Sequence, residues 1–385
     1  MKRLIFFTIF TLLFFKDTAY CENMNIPIIN EQMNYLSLQE LEKTIEDISK
    51  EYEVLPNISV KTIVLDLIKG KSPLNFRDIL NSIGQIFFKE LRSSMGLLGK
   101  ILVIVLISSL LTNIQSSFEN ASVAELANYI AYILIAILLI SSFKQIMDLT
   151  TSTIDKMVNF MQIILPLLLT LLTAVSGVNT RILFHPMILM TVNLIGILIK
   201  FIILPLIFFS FIISIISNLS TRIEFSKLSE LGRQVIAFTI SAALTIFIGI
   251  ITIYGIGSKI DGLTIRTAKF AVDNFIPIVG GFLSDAVEAV VGCSAILKNG
   301  IGFIGLLTLL FICILPILRI LVLLLVYKLV AVAIQPIGSS NLVELFNQVS
   351  KSLLLLLISL ISAATMFFIT ITIVVEAGNN LLMLR

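Results

Sequence analysis

Tryptophan is absent from this chain of 385 residues, histidine occurs once and cysteine three times. Without tryptophan, any aromatic belt at a membrane surface rests on tyrosine and phenylalanine. The single histidine, His185, has no Cys, Asp or Glu close by in sequence, so it reads as a polar loop residue and not a metal ligand. Three cysteines cannot staple a disulfide framework. Cys293 and Cys313 lie in or beside apolar stretches and read as small packing residues. Cys21 falls within the N-terminal leader.

Charge is scarce as well. Asp, Glu, Lys and Arg make up 13% of the chain, about half the usual quarter of a soluble domain. The net charge of +3 is small for this length and does not suggest nucleic-acid binding. No Walker loop, dinucleotide fingerprint, HExxH or nucleophile elbow occurs. The expectation is a chain that is not an enzyme and holds no cofactor or metal.

What is abundant is apolar sequence, 57% of residues, with several runs beyond the ~18 residues that mark a transmembrane helix. The fold class expected is all-α, a polytopic helical membrane protein with about seven transmembrane segments. These are Leu97–Thr112, Leu126–Ser142, Val158–Ser176 with Pro166, Met187–Ser217, Val235–Tyr254, Ile301–Gln335 and Leu353–Val375. A polar connection, Lys144 to Lys156, separates the second from the third. The fourth and sixth are too long for one crossing. At 1.5 Å per residue they reach about 46 and 52 Å, against a hydrocarbon core of about 30 Å. Lys200 with Pro205 interrupts the fourth, and Pro316 with Arg319 interrupts the sixth. Each is expected to kink and protrude, or to re-enter. Paired interruptions of this kind can mark the inverted repeats of a transporter.

Residues 1–21 read as a secretory signal peptide: Lys2-Arg3, an apolar run from Leu4 to Phe15, then Ala19 and Cys21 as small residues at a cleavage site. An uncleaved anchor is the alternative. Residues 22–95 are expected to be an exported helical segment. Ser37-Leu38-Gln39-Glu40 is a capping box, and Leu38, Leu41, Ile45, Ile48, Tyr52 and Leu55 follow at helical spacing. Phe76 to Leu91 make a second amphipathic face. These stripes pack on each other, lie on the membrane, or dock a partner. Residues 96–385 form the multispan membrane domain.

Inside that domain a polar helix–break–helix element covers 257–300. At Lys269–Ser294 it gathers Asp273, Asn274, Pro277, Gly280, Gly281, Asp285 and Glu288. Irregular or charged backbone at membrane depth is tolerated only inside protein or beside water. Gly280 and Gly281 suit a hinge or a close helix contact. Asp285 and Glu288, three apart, share a helix face. With Asp273 they are candidates to line an aqueous path, or else the acids of a surface helix. Arg319 is a candidate pore or structural residue, because a guanidinium inside the membrane needs a partner, for which Glu288 or Asp285 is the sequence-level choice.

The same stretch resembles the stage III sporulation protein AE family of endospore-forming Firmicutes. The resemblance lies in Lys269-Phe270-Ala271-Val272-Asp273-Asn274-Phe275-Ile276-Pro277, Val279-Gly280-Gly281, Leu283-Ser284-Asp285-Ala286 and Gly292. It continues in Leu297-Lys298-Asn299, Tyr327-Lys328-Leu329 and Gln335-Pro336, and the order of segments fits over nearly the whole chain. The loop Gly338-Ser339-Ser340-Asn341 departs from it in lacking acidic residues. The resemblance implies an integral subunit of the channel complex between mother cell and forespore, placed in the mother-cell membrane. It implies other subunits of that complex and membrane lipid as partners, a separate ATPase subunit, and no catalytic residues. The alternative is a free-standing secondary transporter of a small solute. A membrane anchor without a transport path is the third reading.

Overall fold

The computed structural model describes residues 38–51, 61, 76–115, 121–176, 178–219, 226–260, 279–336 and 340–377. Among them every regular element is helical. The order is α1 (Leu38–Glu51), α2 (Phe76–Gln115), α3 (Ala121–Ser176), α4 (Val178–Ile197), a π-helical turn (Leu198–Ile203), α5 (Leu204–Leu219), α6 (Ser226–Ile260), α7 (Val279–Ile334) and α8 (Ser340–Glu376). Among the described residues five helical stretches are long and apolar enough to cross a membrane: Tyr129–Val175, Pro186–Ser217, Lys227–Ile253, Val290–Ile334 and Asn341–Glu376. The expected class, a multi-pass helical membrane protein, therefore stands, with five candidate spans among the described residues; these do not confirm the count of seven or the exported N-terminal segment.

Two of the seven merge for a physical reason. Segments two and three of the sequence reading lie on one helix, α3, because Lys144–Lys156 contains no Pro or Gly and continues helical. Hydropathy sees a loop there; the backbone does not break. At 56 residues α3 is about 84 Å long, far beyond one hydrocarbon core. It carries two apolar zones on either side of a polar middle. Likewise α2 runs unbroken from the amphipathic Phe76–Leu91 face into the apolar Leu97–Thr112.

Side-chain contacts fix how α3 and α7 pair. Ser142 meets Tyr327, Met157 meets Cys313, and Ile164 meets Gly305. One rises as the other falls, so the helices are antiparallel, and the polar middle of α3 lies level with the part of α7 that holds Arg319. Helix α8 is antiparallel to α7 in the same way: Tyr327 packs against Phe346 with ring centroids 6.1 Å apart, and Lys298 reaches Ala377. A single apolar core runs through the bundle, from Leu41 and Ile45 of α1 to Phe367 and Val374 of α8. The Leu41/Ile45 seam seen in sequence thus packs onto the bundle.

Close approach is built with glycine. A Cβ at Gly302 of α7 would collide with Val375 of α8, and one at Gly305 would collide with Ile164 of α3. Small residues at such points let membrane helices touch backbone to side chain, gaining dispersion contacts where the hydrophobic effect between helices is weak.

Candidate functional site

The fourth segment is interrupted where the sequence places the break. Leu204 N–H bonds back five residues to Ile199 O. The next residue, Pro205, has no N–H, and its ring would press on the carbonyl four residues back. A wider turn relieves this, as π turns within α-helices commonly do at functional positions. The interruption near Pro316 behaves differently. Helix α7 passes through Pro316 as one α-helix of 56 residues. The two interruptions are not equivalent, so the pattern behind an inverted repeat is not met.

The π turn carries Lys200 toward α3. Its ammonium donates to both carboxylate oxygens of Asp155 at 2.8 Å. One heptad along each helix, Gln162 Nε2 donates to Asn193 Oδ1 at 2.8 Å. Between these pairs Gly196 lies against Val158, so close that a Cβ there would be 2.7 Å from Val158 Cγ2. The seam α3–α4 is thus antiparallel, held by two polar contacts around one tight apolar one. Sequence reasoning noted Lys200 as an interruption but missed the seam. Asp155 was read as part of a connection, and Gln162 and Asn193 drew no notice inside apolar runs.

Arg319 sits on α7 with half its side chain exposed, its Nε 3.7 Å from Glu90 Oε2 of α2. The expected pairing with Glu288 or Asp285 does not form. All three are on α7, and the 31 residues from Glu288 to Arg319 set them about 46 Å apart along the axis. Gly280 and Gly281 occupy the first turn of α7, and Asp285 and Glu288 follow in the same helix. From Val279 onward the polar element is therefore fused to the sixth apolar segment. Asp273 and Pro277 lie outside the described residues.

Other polar contacts bind the ends of the spans. Tyr327 Oη donates to Ser142 Oγ at 2.7 Å, and Tyr132 Oη to Ile215 O at 2.7 Å. Arg233 of α6 donates to Gln348, which in turn donates to Glu344 within α8. Ser210, Ser214 and Ser229 form a buried hydroxyl cluster joining α5 to α6. Lys298 is fully buried, and its Nζ donates to Ala377 O at 3.1 Å. A cation at that place satisfies an end carbonyl of α8 and complements its dipole. Next to it Asn299 Oδ1 is buried with no hydrogen-bond partner among the described residues.

Among the described residues no three His, Cys, Asp or Glu gather as a metal site would require. A cavity of about 90 Å³ opens between α4, the π turn, α6 and α8, lined by apolar side chains such as Leu194, Ile199, Ile240 and Phe247. Hydrocarbon walls of this kind suit a dry site. The polar groups described here thus sit at helix contacts and on outer faces.

Comparison with known proteins adds a family. A family model described as stage III sporulation protein AE matches residues 58–378. The stage III sporulation protein AE of Bacillus subtilis (strain 168) is 33% identical over 340 residues, covering 88% of this chain and 85% of that protein. No solved structure matches. The resemblance carried by Lys269–Ser294 therefore holds along most of the sequence, and the chain belongs to the stage III sporulation protein AE family.

Proposed function

We propose that this chain is an integral subunit of a channel complex connecting the mother cell to the forespore, placed in the mother-cell membrane and needed for endospore development. Family membership is the observation that carries the reading. Five apolar spans tied by polar contacts between helices support it. The chain acts by assembly and not by catalysis, and its partners are the other subunits of the complex and the surrounding lipid. The exported segment, residues 22–95, would present its surface to those subunits.

A strain lacking the chain tests the proposal. Engulfment is expected to complete, later forespore transcription to fall silent, and the intact chain to restore both spores and transcription. The chain isolated from sporulating cells should bring the other subunits with it. Normal numbers of heat-resistant spores without the chain would overturn the reading. So would gradient-driven uptake of a solute by the purified chain alone in liposomes, which would favour a secondary transporter.

A further inference from the structure

Of the five candidate spans α6 is the least enclosed. The bundle buries 22% of its most apolar stretch, against 44 to 61% for the others. Its polar contacts to other helices, among the described residues, cluster at one end. Ser229 meets Ser210 and Ser214 of α5, Gly232 lies against Ser210, and Arg233 donates to Gln348 of α8. Farther along, Thr239, Thr245 and Thr252 each donate to a carbonyl of α6 itself. The far half rests on a narrow apolar stripe, Ile240, Phe247 and Ile251. Between it, α4, the π turn and α8 lies the cavity of about 90 Å³.

Depth and access set what can enter. Ser362 of α8 lines the cavity and lies 11 residues from Lys351 and 14 from Glu376, both exposed. Those steps are about 17 and 21 Å along the axis, so the cavity sits near the middle of a hydrocarbon core of about 30 Å. Leu194 of α4 and Ile246 of α6 also line it and are 52 and 64% exposed. The cavity therefore opens sideways onto the lipid-facing surface. Water finds little there, since a buried water needs about two to four polar partners. Of the lining hydroxyls, Thr191 and Ser359 donate to Met187 O and Leu356 O, which leaves Ser362.

We propose that an acyl chain of the surrounding lipid enters this cavity between α4 and α6 and completes the packing of α6. Its methylene groups match the walls at Ile199, Ile203, Ile240 and Phe247. They supply the dispersion contacts by which a membrane helix is held, since the hydrophobic effect between helices is weak there. Polar contacts pin α6 at Ser229–Arg233, and the chain wedged at Ala243–Ile250 sets the tilt of the remainder. The site is independent of the channel reading above.

Photolabelling of the full chain tests it. The chain is reconstituted in vesicles of phosphatidylglycerol and phosphatidylethanolamine, doped with a phospholipid that carries a diazirine at mid-chain. Met190 and Phe238, 68 and 74% exposed, meet bulk lipid, whereas Phe247 and Met366, each 3% exposed, are reached only from the cavity. Label is expected on all four, the inner pair at no less than about a third of the outer. This map needs no variant. Label on the outer pair alone would overturn the proposal, leaving the cavity empty or filled by another segment of this chain. Ala243→Phe fills the cavity from α6 and should lower the inner label at least fivefold without changing the outer. Inner label that survives it would also overturn the site. Ser362→Ala should change neither pair. A fivefold loss of inner label there would overturn a hydrocarbon occupant in favour of one that uses a hydrogen bond.

Discussion

Lys200 grips Asp155 through both carboxylate oxygens, across 45 residues of sequence, from the one π turn among the described residues. Its side chain remains 32% exposed and that of Asp155 46%. The pair therefore lies between an exposed ion pair, worth up to about 1 kcal/mol, and a buried one, where losing a partner costs about 3–5 kcal/mol. Lys200→Met is expected to cost about 1–3 kcal/mol, and Lys200→Met with Asp155→Leu less than the single change. Reversible unfolding in mixed micelles measures both. A double variant worse than Lys200→Met would show that the carboxylate is satisfied elsewhere.

Gly302 and Gly305 leave no room for a methyl group, whereas Gly249 has nothing within 4 Å of its added Cβ. Gly302→Ala should lose about 1–3 kcal/mol through forced displacement of Val375. Gly249→Ala should be neutral or gain up to about 1 kcal/mol from helix propensity. Val375→Ala is expected to restore part of the Gly302→Ala loss. Thermal unfolding in detergent reads all three, and equal effects at 302 and 249 would contradict the packing.

The contact of Arg319 with Glu90 is long, 3.7 Å, and half-exposed. Arg319→Ala should cost no more than about 1 kcal/mol. Reversal by Arg319→Glu is worse, since it sets two acids together, and Glu90→Arg should rescue it. Glu288→Arg should not, being about 46 Å away along the helix. Membrane accumulation of the four variants separates the two pairings.

Lys298 ties α7 to the end of α8 through Ala377 O. Lys298→Ala removes a buried stem and leaves that carbonyl without its donor, an expected loss of about 2–4 kcal/mol. The damage should be local. Protease should cut near residue 377 several-fold faster in the variant, while sites near α1 keep their rates. Uniformly faster cutting would instead place Lys298 in the global core.

Much of the architecture could be read from the chain because composition and Pro placement act locally. Long apolar runs imply membrane helices, and Pro205 beside Lys200 marks the turn that the structure contains. The continuity of α3 was hidden for an equally physical reason. Lys144–Lys156 is polar, yet it has no residue that breaks a helix, and Lys200 on another helix answers the charge of Asp155. Polarity alone could not distinguish an external loop from a charged stretch paid for by a neighbour. Glu90 as the partner of Arg319 was invisible too, since the two are separated by most of the chain. The polar element at Lys269–Ser294 identified the family, while the residues that tie helices together lay elsewhere.

The π turn has one more effect, on the phase of the sequence. Up to the middle of the turn the outward residues are Met187, Met190, Leu194, Ile197 and Phe201; from there on they are Ile202, Pro205, Phe209 and Ile216. Indexed at 100° per residue, the second set is displaced from the first by about 70°, nearer to one inserted residue than to none. The wide turn absorbs that residue, so a single outer surface continues from α4 into α5. Removing one residue within Leu198–Ile203 would therefore turn the π turn into an ordinary one and leave α5 in phase with α4, with Phe209 still outward and Phe211 still buried. The wide turn lets the chain carry one extra residue without turning its outer surface out of line.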